Sequence, residues 1–309
     1  MAPDFAGAAQ AVADGCGAAV AAAGLPFGLE ISRTDATPNS IFSSYQAAAE
    51  RGASVIVGPM TRDGVTALAR TTLAGPPTLM LNVPEADTPL PERFFVFGLS
   101  AESEARVAAH HAYAAGLRNA AVVSTATPLS KRVARAFAAE WASIGGLVAE
   151  SIEAEPGPAL KERMAGLSAD TIFLSADAEQ ARSIRPYLNN QLPVYSVSLV
   201  HEGRGDPISG VDLNGIRFVD MPWLVQPDHP AVMIYPRHEA LPFELQRFYA
   251  LGIDACRLAP LIASRRGRVQ LDGVTGQLRL NRGVIEREPI AATFRAGSAV
   301  PEGDPEPAR

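Results

Sequence analysis

The sequence is poor in the side chains that usually perform chemistry. Its 309 residues include five histidines and two cysteines, and aromatic residues make up only 6%. His110 and His111 are adjacent and point to different sides of a helix. His201, His229 and His238 fall in loop-like stretches without metal-ligand spacing, so no metal set is expected. There is no Gly-x-Ser-x-Gly elbow, no Walker loop and no Gly-x-Gly-x-x-Gly following a strand. Nothing assembles a nucleophile, a base and oxyanion donors, so the chain reads as non-enzymatic and without a cofactor. A basic stripe is also missing. The net charge is −6, which argues against a nucleic-acid partner. The densest basic group, Arg265-Arg266-Gly267-Arg268, reads as a cationic helix end closed by glycine.

Long apolar runs are scarce too. None reaches the roughly 18 residues that would span a bilayer, and no basic segment followed by an apolar core marks a signal peptide. Cys16 lies in Asp14-Gly15-Cys16-Gly17, without the apolar stretch that precedes a lipid-attachment cysteine. Cys16 and Cys256 both fall in helical patterns and read as buried free thiols, with a disulfide as the alternative.

What is present is a repeating α/β rhythm. In Ser54-Val-Ile-Val-Gly-Pro-Met-Thr61 an apolar run stops at Gly58-Pro59, and a helical pattern opens at Thr61. Buried parallel strands have this form, and ligands in open α/β sheets sit beyond the carboxyl ends of such strands. Strands are expected at 29–32, 54–57, 78–81, 94–97, 120–123, 148–152, 171–174, 194–197 and 216–219. Helices are expected at 5–23, 40–51, 61–73, 100–113, 130–144 and 179–188. The stretch 206–214 is loop-like. Two helices, 241–250 and 254–264, are separated around Gly252, with Asp254 capping the second or serving a cleft or hinge. Residues 269–295 are β-like, with a short hairpin loop at Asn281-Arg282-Gly283. The alternation implies two lobes with mostly parallel sheets. Lobe one takes 1–98 and 222–268, lobe two takes 99–221 and 269–297, and 298–309 is a flexible tail. The first lobe opens on a helix, so its usual first strand is missing.

Strand ends and helix N-termini offer backbone N–H groups and small hydroxyls to polar ligands. The candidates are Thr61, Asn82 and Ser100 in the first lobe, and Ser124, Thr125, Ser130, Ser175 and Ser198 in the second. Each could equally cap its own helix or turn. Glu102 and Glu104 fit a helix first turn through the helix dipole. Trp223 and Tyr249 could instead pack at the hinge, and Leu224-Val225-Gln226-Pro227, next to Trp223, reads as core, with an exposed partner surface as the alternative.

Several motifs in order resemble a known family. They are Ile56-Val57-Gly58-Pro59, Leu81-Asn82-Val83-Pro84, Leu99-Ser-Ala-Glu-Ser-Glu-Ala105, Arg132-Val-Ala-Arg-Ala-Phe137, Glu140-Trp-Ala-Ser-Ile-Gly-Gly146, Tyr249-Ala-Leu-Gly-Ile-Asp-Ala255 and Gly273-Val-Thr-Gly-Gln-Leu278. Together they resemble the penicillin-binding-protein activators of the LppC/LpoA type, within the type I periplasmic-binding-protein fold. The resemblance implies two Rossmann-like lobes joined by three crossovers around a cleft. It also implies the C-terminal module of an outer-membrane lipoprotein facing the periplasm, whose partner is a class A penicillin-binding protein in peptidoglycan synthesis. A lipid-attachment cysteine, a helical-repeat domain and the first strand, which the resemblance would supply, are not seen in this sequence. The bilobal fold alone implies a second function, a receptor for a small polar ligand such as an amino acid.

Overall fold

Apolar runs of three to six residues, each closed by glycine, proline or a small polar residue, become strands here, and alanine-rich segments pack over them as helices. The computed structural model describes residues 5–24, 28–35, 37–71, 75–85, 88–203, 210–264 and 269–303. The Arg265–Arg268 cluster, residues 206–209 of the loop-like stretch and residues 304–309 of the tail lie outside the described residues. The chain divides into two units, Met1–Ser100 with Pro227–Glu288 and Ala101–Gln226 with Pro289–Arg309, and passes between them three times.

The first unit contains α1 (Phe5–Ala23), α2 (Pro38–Glu50), β1 (Ile56–Val57), α3 (Arg62–Ala69), β2 (Thr78–Met80) and β3 (Phe94–Val96). Its second segment adds α9 (Pro230–Met233), α10 (Phe243–Ala263), β9 (Gln270–Asp272), β10 (Gln277–Asn281) and β11 (Val284–Glu288). The sheet order is β1-β2-β3-β11-β10-β9. Strands β1, β2, β3 and β11 run parallel, and β10 and β9 are antiparallel to their neighbours. One core cluster joins α10 and Val12 of α1 to Leu79, Leu81 and Phe97, and another joins Tyr45 and α3 to Met80, Phe94 and Val96. Helices therefore cover both faces, as parallel strands require.

The second unit contains α4 (Ala101–Ala114), β4 (Asn119–Ser124), α5 (Pro128–Ser143), β5 (Leu147–Glu153), α6 (Pro158–Ala165), β6 (Thr171–Ser175) and α7 (Ala178–Ile184). Next come β7 (Val194–Ser196), β8 (Ile216–Asp220), α8 (Pro222–Val225), β12 (Ile290–Arg295) and β13 (Ser298–Pro301). Its sheet runs β13-β12-β8-β7-β6-β4-β5. The five strands from β8 to β5 are parallel, and β12 and β13 close one edge antiparallel. On one face Phe137 stacks on Phe173 at 4.0 Å and on Trp141 at 5.5 Å, beneath α4 and α5. On the other face α6 and α7 bury Leu160, Met164 and Ile184 against Ile152, Ile172 and Leu174.

The two-sheet α/β architecture agrees with the sequence reading, and α1 is the first element among the described residues. Five expectations need correction. Residues 29–32 are exposed and form no strand; Leu29 and Ile31 are 41% and 54% exposed. Gly252 does not break a helix: α10 is continuous, and the glycine lets α1 approach. Residues 269–288 belong to the first unit, because Val284 pairs in parallel with Val96 and the Val96 N–H donates to Gly283 O. Residues 222–226 belong to the second unit, where Trp223 is fully buried and Leu224 and Val225 join the core. The start of the expected tail is strand β13, paired to β12. The hairpin loop falls where expected: Arg282 and Gly283 have φ of 48° and 85°, the pair of positive values a two-residue type I′ turn needs.

Helix α1 also corrects the reading of apolar length. Its Phe5–Ala22 stretch is long and apolar enough, by composition, to cross a membrane. Here Ala8, Ala11 and Ala19 are buried, and the helix packs along α10. The two cysteines are not free thiols: Cys16 and Cys256 form a disulfide that links these helices.

Candidate functional site

Two of the three candidates in the first unit, Thr61 and Asn82, lie in the loops after β1 and β2. Gly58 has a φ of 117° and precedes a cis bond to Pro59, and the Leu81 N–H donates to Pro59 O at 2.9 Å. Thr61 is the N-cap of α3 and accepts from the Gly64 N–H. The Asn82 side chain donates to Met60 O at 2.9 Å and accepts from the Val83 N–H at 2.8 Å. Thr61 and Asn82 are thus brought to one pair of loops, each with its polar atoms engaged locally. Ser100 is half-buried just ahead of α4.

In the second unit the structure gathers Thr125, Ser130 and Ser175 at the carboxyl ends of β4 and β6. Ser130 Oγ donates to Ser175 O at 2.6 Å, and Ser175 Oγ donates to Ser130 O at 2.9 Å. The Thr125 N–H donates to Ser130 Oγ at 2.8 Å, and Thr125 Oγ1 lies 3.3 Å from both Thr127 Oγ1 and Gln180 Oε1. All three residues are buried. Gln180 also completes the capping box of α7 with Asp177. Ser124 is half-buried at the end of β4. Ser198 stands apart from this group, and its N–H donates to Glu104 Oε2 at 3.1 Å.

Sequence reasoning missed two buried polar groups in this unit. Glu104 is only 4% exposed and reaches the chain after β7, so it does more than complement a helix dipole. His201 Nδ1 lies 2.7 Å from Asp220 Oδ2, and Asp220 Oδ1 accepts from the Met221 N–H. The imidazole sits against Phe218 and Phe294, with ring centroids at 5.4 and 6.1 Å. A His–carboxylate pair orients catalytic histidines in hydrolases, but this ring is buried among aromatic side chains and braces the end of β8. The partners are 94 and 19 residues apart in sequence, so no local pattern could have announced them. No group of three or more His, Cys, Asp or Glu side chains among the described residues is placed to hold a metal.

The two motifs that resemble the family most strongly meet inside the first unit. Asp254 is fully buried in α10 rather than capping a second helix. Its carboxylate accepts from the Val274 N–H (3.1 Å), the Thr275 N–H (2.8 Å), Thr275 Oγ1 (2.7 Å) and Arg257 (3.1 Å). It thereby fixes the turn from Gly273 to Gly276 that leads into β10, and Arg287 closes the turn from behind by donating to Thr275 O. Burial pushes the Asp254 carboxyl above its ordinary value, with Arg257 and the Thr275 and Val274 donors acting the other way. Two residues earlier, a Cβ on Gly252 would fall 2.8 Å from the Val12 carbonyl carbon and closer still to its oxygen. These residues hold α1, α10 and the β9–β10 turn together; their role is packing.

This geometry agrees with known relatives. The solved C-domain of LpoA (YraM) from Haemophilus influenzae, described as a regulator of PBP1A, superposes with a TM-score of 0.81 at 20% identity, covering 98% of each chain. A structure described as a putative branched-chain amino acid ABC transporter from Chromobacterium violaceum gives a TM-score of 0.80 at 35% identity, over 93% of this chain and 94% of that one. Among curated proteins, the penicillin-binding protein activator LpoA of Edwardsiella piscicida is 29% identical over 82% of this chain and 43% of its own length. That of Edwardsiella ictaluri is 27% identical over 82% and 44%. The chain thus spans less than half the length of these curated relatives. The family described as "LppC putative lipoprotein" matches residues 1–155 and 151–297, and by that match this chain belongs to the LppC family.

Proposed function

We propose that this chain is a non-catalytic periplasmic regulator of peptidoglycan synthesis that acts by binding a class A penicillin-binding protein. The observation that carries this reading is how the strand-end hydroxyls are used. Ser130 and Ser175 bond to each other's carbonyls, and Thr125 is held by Ser130 and Gln180. A ligand would have to displace those bonds, and a buried donor or acceptor left without a partner costs about 1–3 kcal/mol. Protein-binding activity needs no such displacement. The names of the curated relatives support the partner, since they are penicillin-binding protein activators. The disulfide supports an oxidising compartment such as the periplasm. An outer-membrane anchor in the full-length protein is part of the same proposal.

The direct test uses the purified chain with a purified class A penicillin-binding protein from the same cell. Stimulation of glycan polymerisation or cross-linking, together with measurable binding, is the expected result. Absence of both binding and stimulation would overturn the reading.

One observation favours a second reading, a receptor that holds a small polar ligand at its strand ends. The Chromobacterium violaceum structure matches this chain at higher identity than the LpoA structure does, and end to end. In the second unit its ligand would meet Thr125, Ser130 and Ser175, which the structure gathers at the carboxyl ends of β4 and β6. Thermal unfolding with leucine, isoleucine, valine and muropeptide fragments separates the two. A ligand at a hundred times its Kd adds about 2.7 kcal/mol of stability, so a flat response across the set counts against the receptor.

A further inference from the structure

We propose that the free edge of β5, with the groove beside α5, is a docking strip for an extended peptide segment that carries an acidic side chain. The groove exists because of one extra residue. Ala120 pairs with Val148 and Ala121 with Glu150, so the register shifts by one at Ala149. With an unbroken register, Val122 and Ser124 would face Glu150 and Ile152. Instead they face Ser151 and Glu153, and Ile152 turns to the opposite face with Leu160 and Met164. A bulge that re-aims side chains in this way is common beside functional surfaces. The α5 face loses a large apolar side chain, and the helix offers only Ala134 and Ala138 in return. A groove of about 380 Å³ results, floored by Val122 and those alanines, with Lys131, Arg135, Ser151 and Glu153 at its rim.

Among the described residues no strand pairs with the outer side of β5. β5 is the last strand of its sheet, seven residues long, and Leu147 is 69% exposed. The Ala154 N–H donates to Ser124 O. Alternation along the strand then turns the Ile152 amide toward β4 and those of Ser151 and Glu153 outward. Proteins commonly defend such an edge with charge. Here the charges are neutralised from within: Lys131 pairs with Glu153 at 2.8 Å, and Arg163 pairs with Glu150. Arg135 is exposed, donates to Lys131 O at 3.2 Å, and has no carboxylate partner among the described residues. The strip therefore carries one uncompensated positive charge beside an apolar floor. An added strand would bond to the outward amides, and every second side chain would enter the groove, a small apolar residue on the floor and a carboxylate at Arg135. A second copy of this chain, pairing β5 to β5, is the competing occupant.

This inference rests on the reading of the chain as a protein-binding regulator, but its test is separate. The probe is the peptide acetyl-Thr-Val-Thr-Asp-Thr-Val-Thr-amide, in which Val, Asp and Val share one face, titrated into the whole chain and followed by amide NMR. Shifts confined to β5 and α5 are expected. Arg135→Glu should weaken binding at least about fivefold, and the same peptide with Lys in place of Asp should recover it. Ser151→Pro, which removes an outward N–H on an edge strand, should abolish binding with the fold intact by circular dichroism. No β5 shifts up to about 5 mM peptide, binding indifferent to Arg135→Glu, or a dimer that Ser151→Pro dissociates would each overturn the proposal. Loss of peptide binding with synthase binding retained removes this inference alone. Peptide binding without synthase binding removes the regulator reading alone.

Discussion

Removing the crosslink between Cys16 and Cys256 should cost the first unit several kcal/mol. The disulfide joins α1 to α10 across 240 residues. In the chain-entropy account, closing a loop of that length restricts the unfolded chain by about 18 cal/mol/K, or roughly 5.5 kcal/mol at 25 °C. If the second unit stays folded while the first unfolds, it spans Ala101–Gln226 of the loop and leaves about 115 flexible residues. The logarithm makes this matter little, and the figure falls only to about 4.8 kcal/mol. These are ceilings, since measured values centre on about 2–4 kcal/mol. For a unit of about 160 residues, a loss of 3 kcal/mol lowers Tm by roughly 6–12 °C. The assay is thermal unfolding by circular dichroism of the oxidised chain, the reduced chain and Cys16→Ala/Cys256→Ala. The reduced chain keeps both thiols, so it separates the crosslink from the packing lost with the sulfurs. The cysteines are 6% and 3% exposed, so reduction should be slow until the helices part. Oxidised and reduced chains melting within about 1 °C of each other would refute the loop-entropy reasoning.

Other variants probe the packing described above. Gly252→Ala gains about 1 kcal/mol of helix propensity but forces a Cβ against the Val12 carbonyl. Overpacking of this kind costs about 1–3 kcal/mol or more, so a net fall in Tm is expected, and an unchanged or higher Tm would show that α1 can shift freely. Asp254→Asn replaces an acceptor oxygen facing buried donors from Thr275 and Val274 with an amide nitrogen, and should cost about 1–3 kcal/mol. Because burial raises the Asp254 carboxyl, its contribution is greatest below the unfolded value near 4 and is lost as pH rises through the folded value. The margin of wild type over Asp254→Asn, measured by urea unfolding, should therefore shrink as pH rises from about 4; a margin that grows would show that Arg257 and the donors prevail. Ser130→Ala removes the acceptor for the Thr125 N–H and the donor to Ser175 O. A loss of about 1–3 kcal/mol is expected, read by tryptophan fluorescence because Trp141 and Trp223 both lie in the second unit; an unchanged transition would mean that water replaces the hydroxyl.

Elements with strong local punctuation were legible. Strand β4 and helix α5 lie between a glycine turn and the Gly145-Gly146 stop, and they fall within two residues of the expected bounds. Several of the misreadings share one cause, contacts distant in sequence, whereas β13 was missed although it pairs with the adjacent β12. Gly252 looks like a helix break because the residue that needs its missing side chain, Val12, is 240 positions away. The disulfide was unreadable for the same reason. Residues 269–288 look continuous with residues 289–297, and only the pairing of Val284 with Val96 assigns them to the first sheet. Leu29–Ser32 alternates like a strand but has no neighbouring strand among the described residues, and a strand exists only through its neighbours. Ser175 ends β6, Thr125 follows β4, and Ser130 lies in the first turn of α5. What could not be read was whether they face a ligand or one another, because Ser130 and Ser175 are 45 residues apart.

That distinction connects the architecture to the proposed activity. A small-ligand site on this fold would be expected to leave strand-end donors free, since backbone N–H groups and hydroxyls there are the fold's natural means of holding polar groups. In the second unit those groups are joined to each other: β4, β6 and the start of α5 are sewn together by Ser130, Ser175 and Thr125. The same unit leaves open a long edge strand, a bulge beside it and, among the described residues, an arginine without a carboxylate. Polar capacity is thus consumed at the strand ends and left available along β5. A scaffold that favours recognition of another chain over retention of a small molecule would show this distribution, and removing the internal bonds offers a check on it. If Ser130→Ala with Ser175→Ala confers amino-acid binding that the wild type lacks, the closed strand ends are what separates this chain from a receptor. If wild type and double variant both bind, the serine network does not bar a ligand, and the receptor reading gains at the regulator's expense.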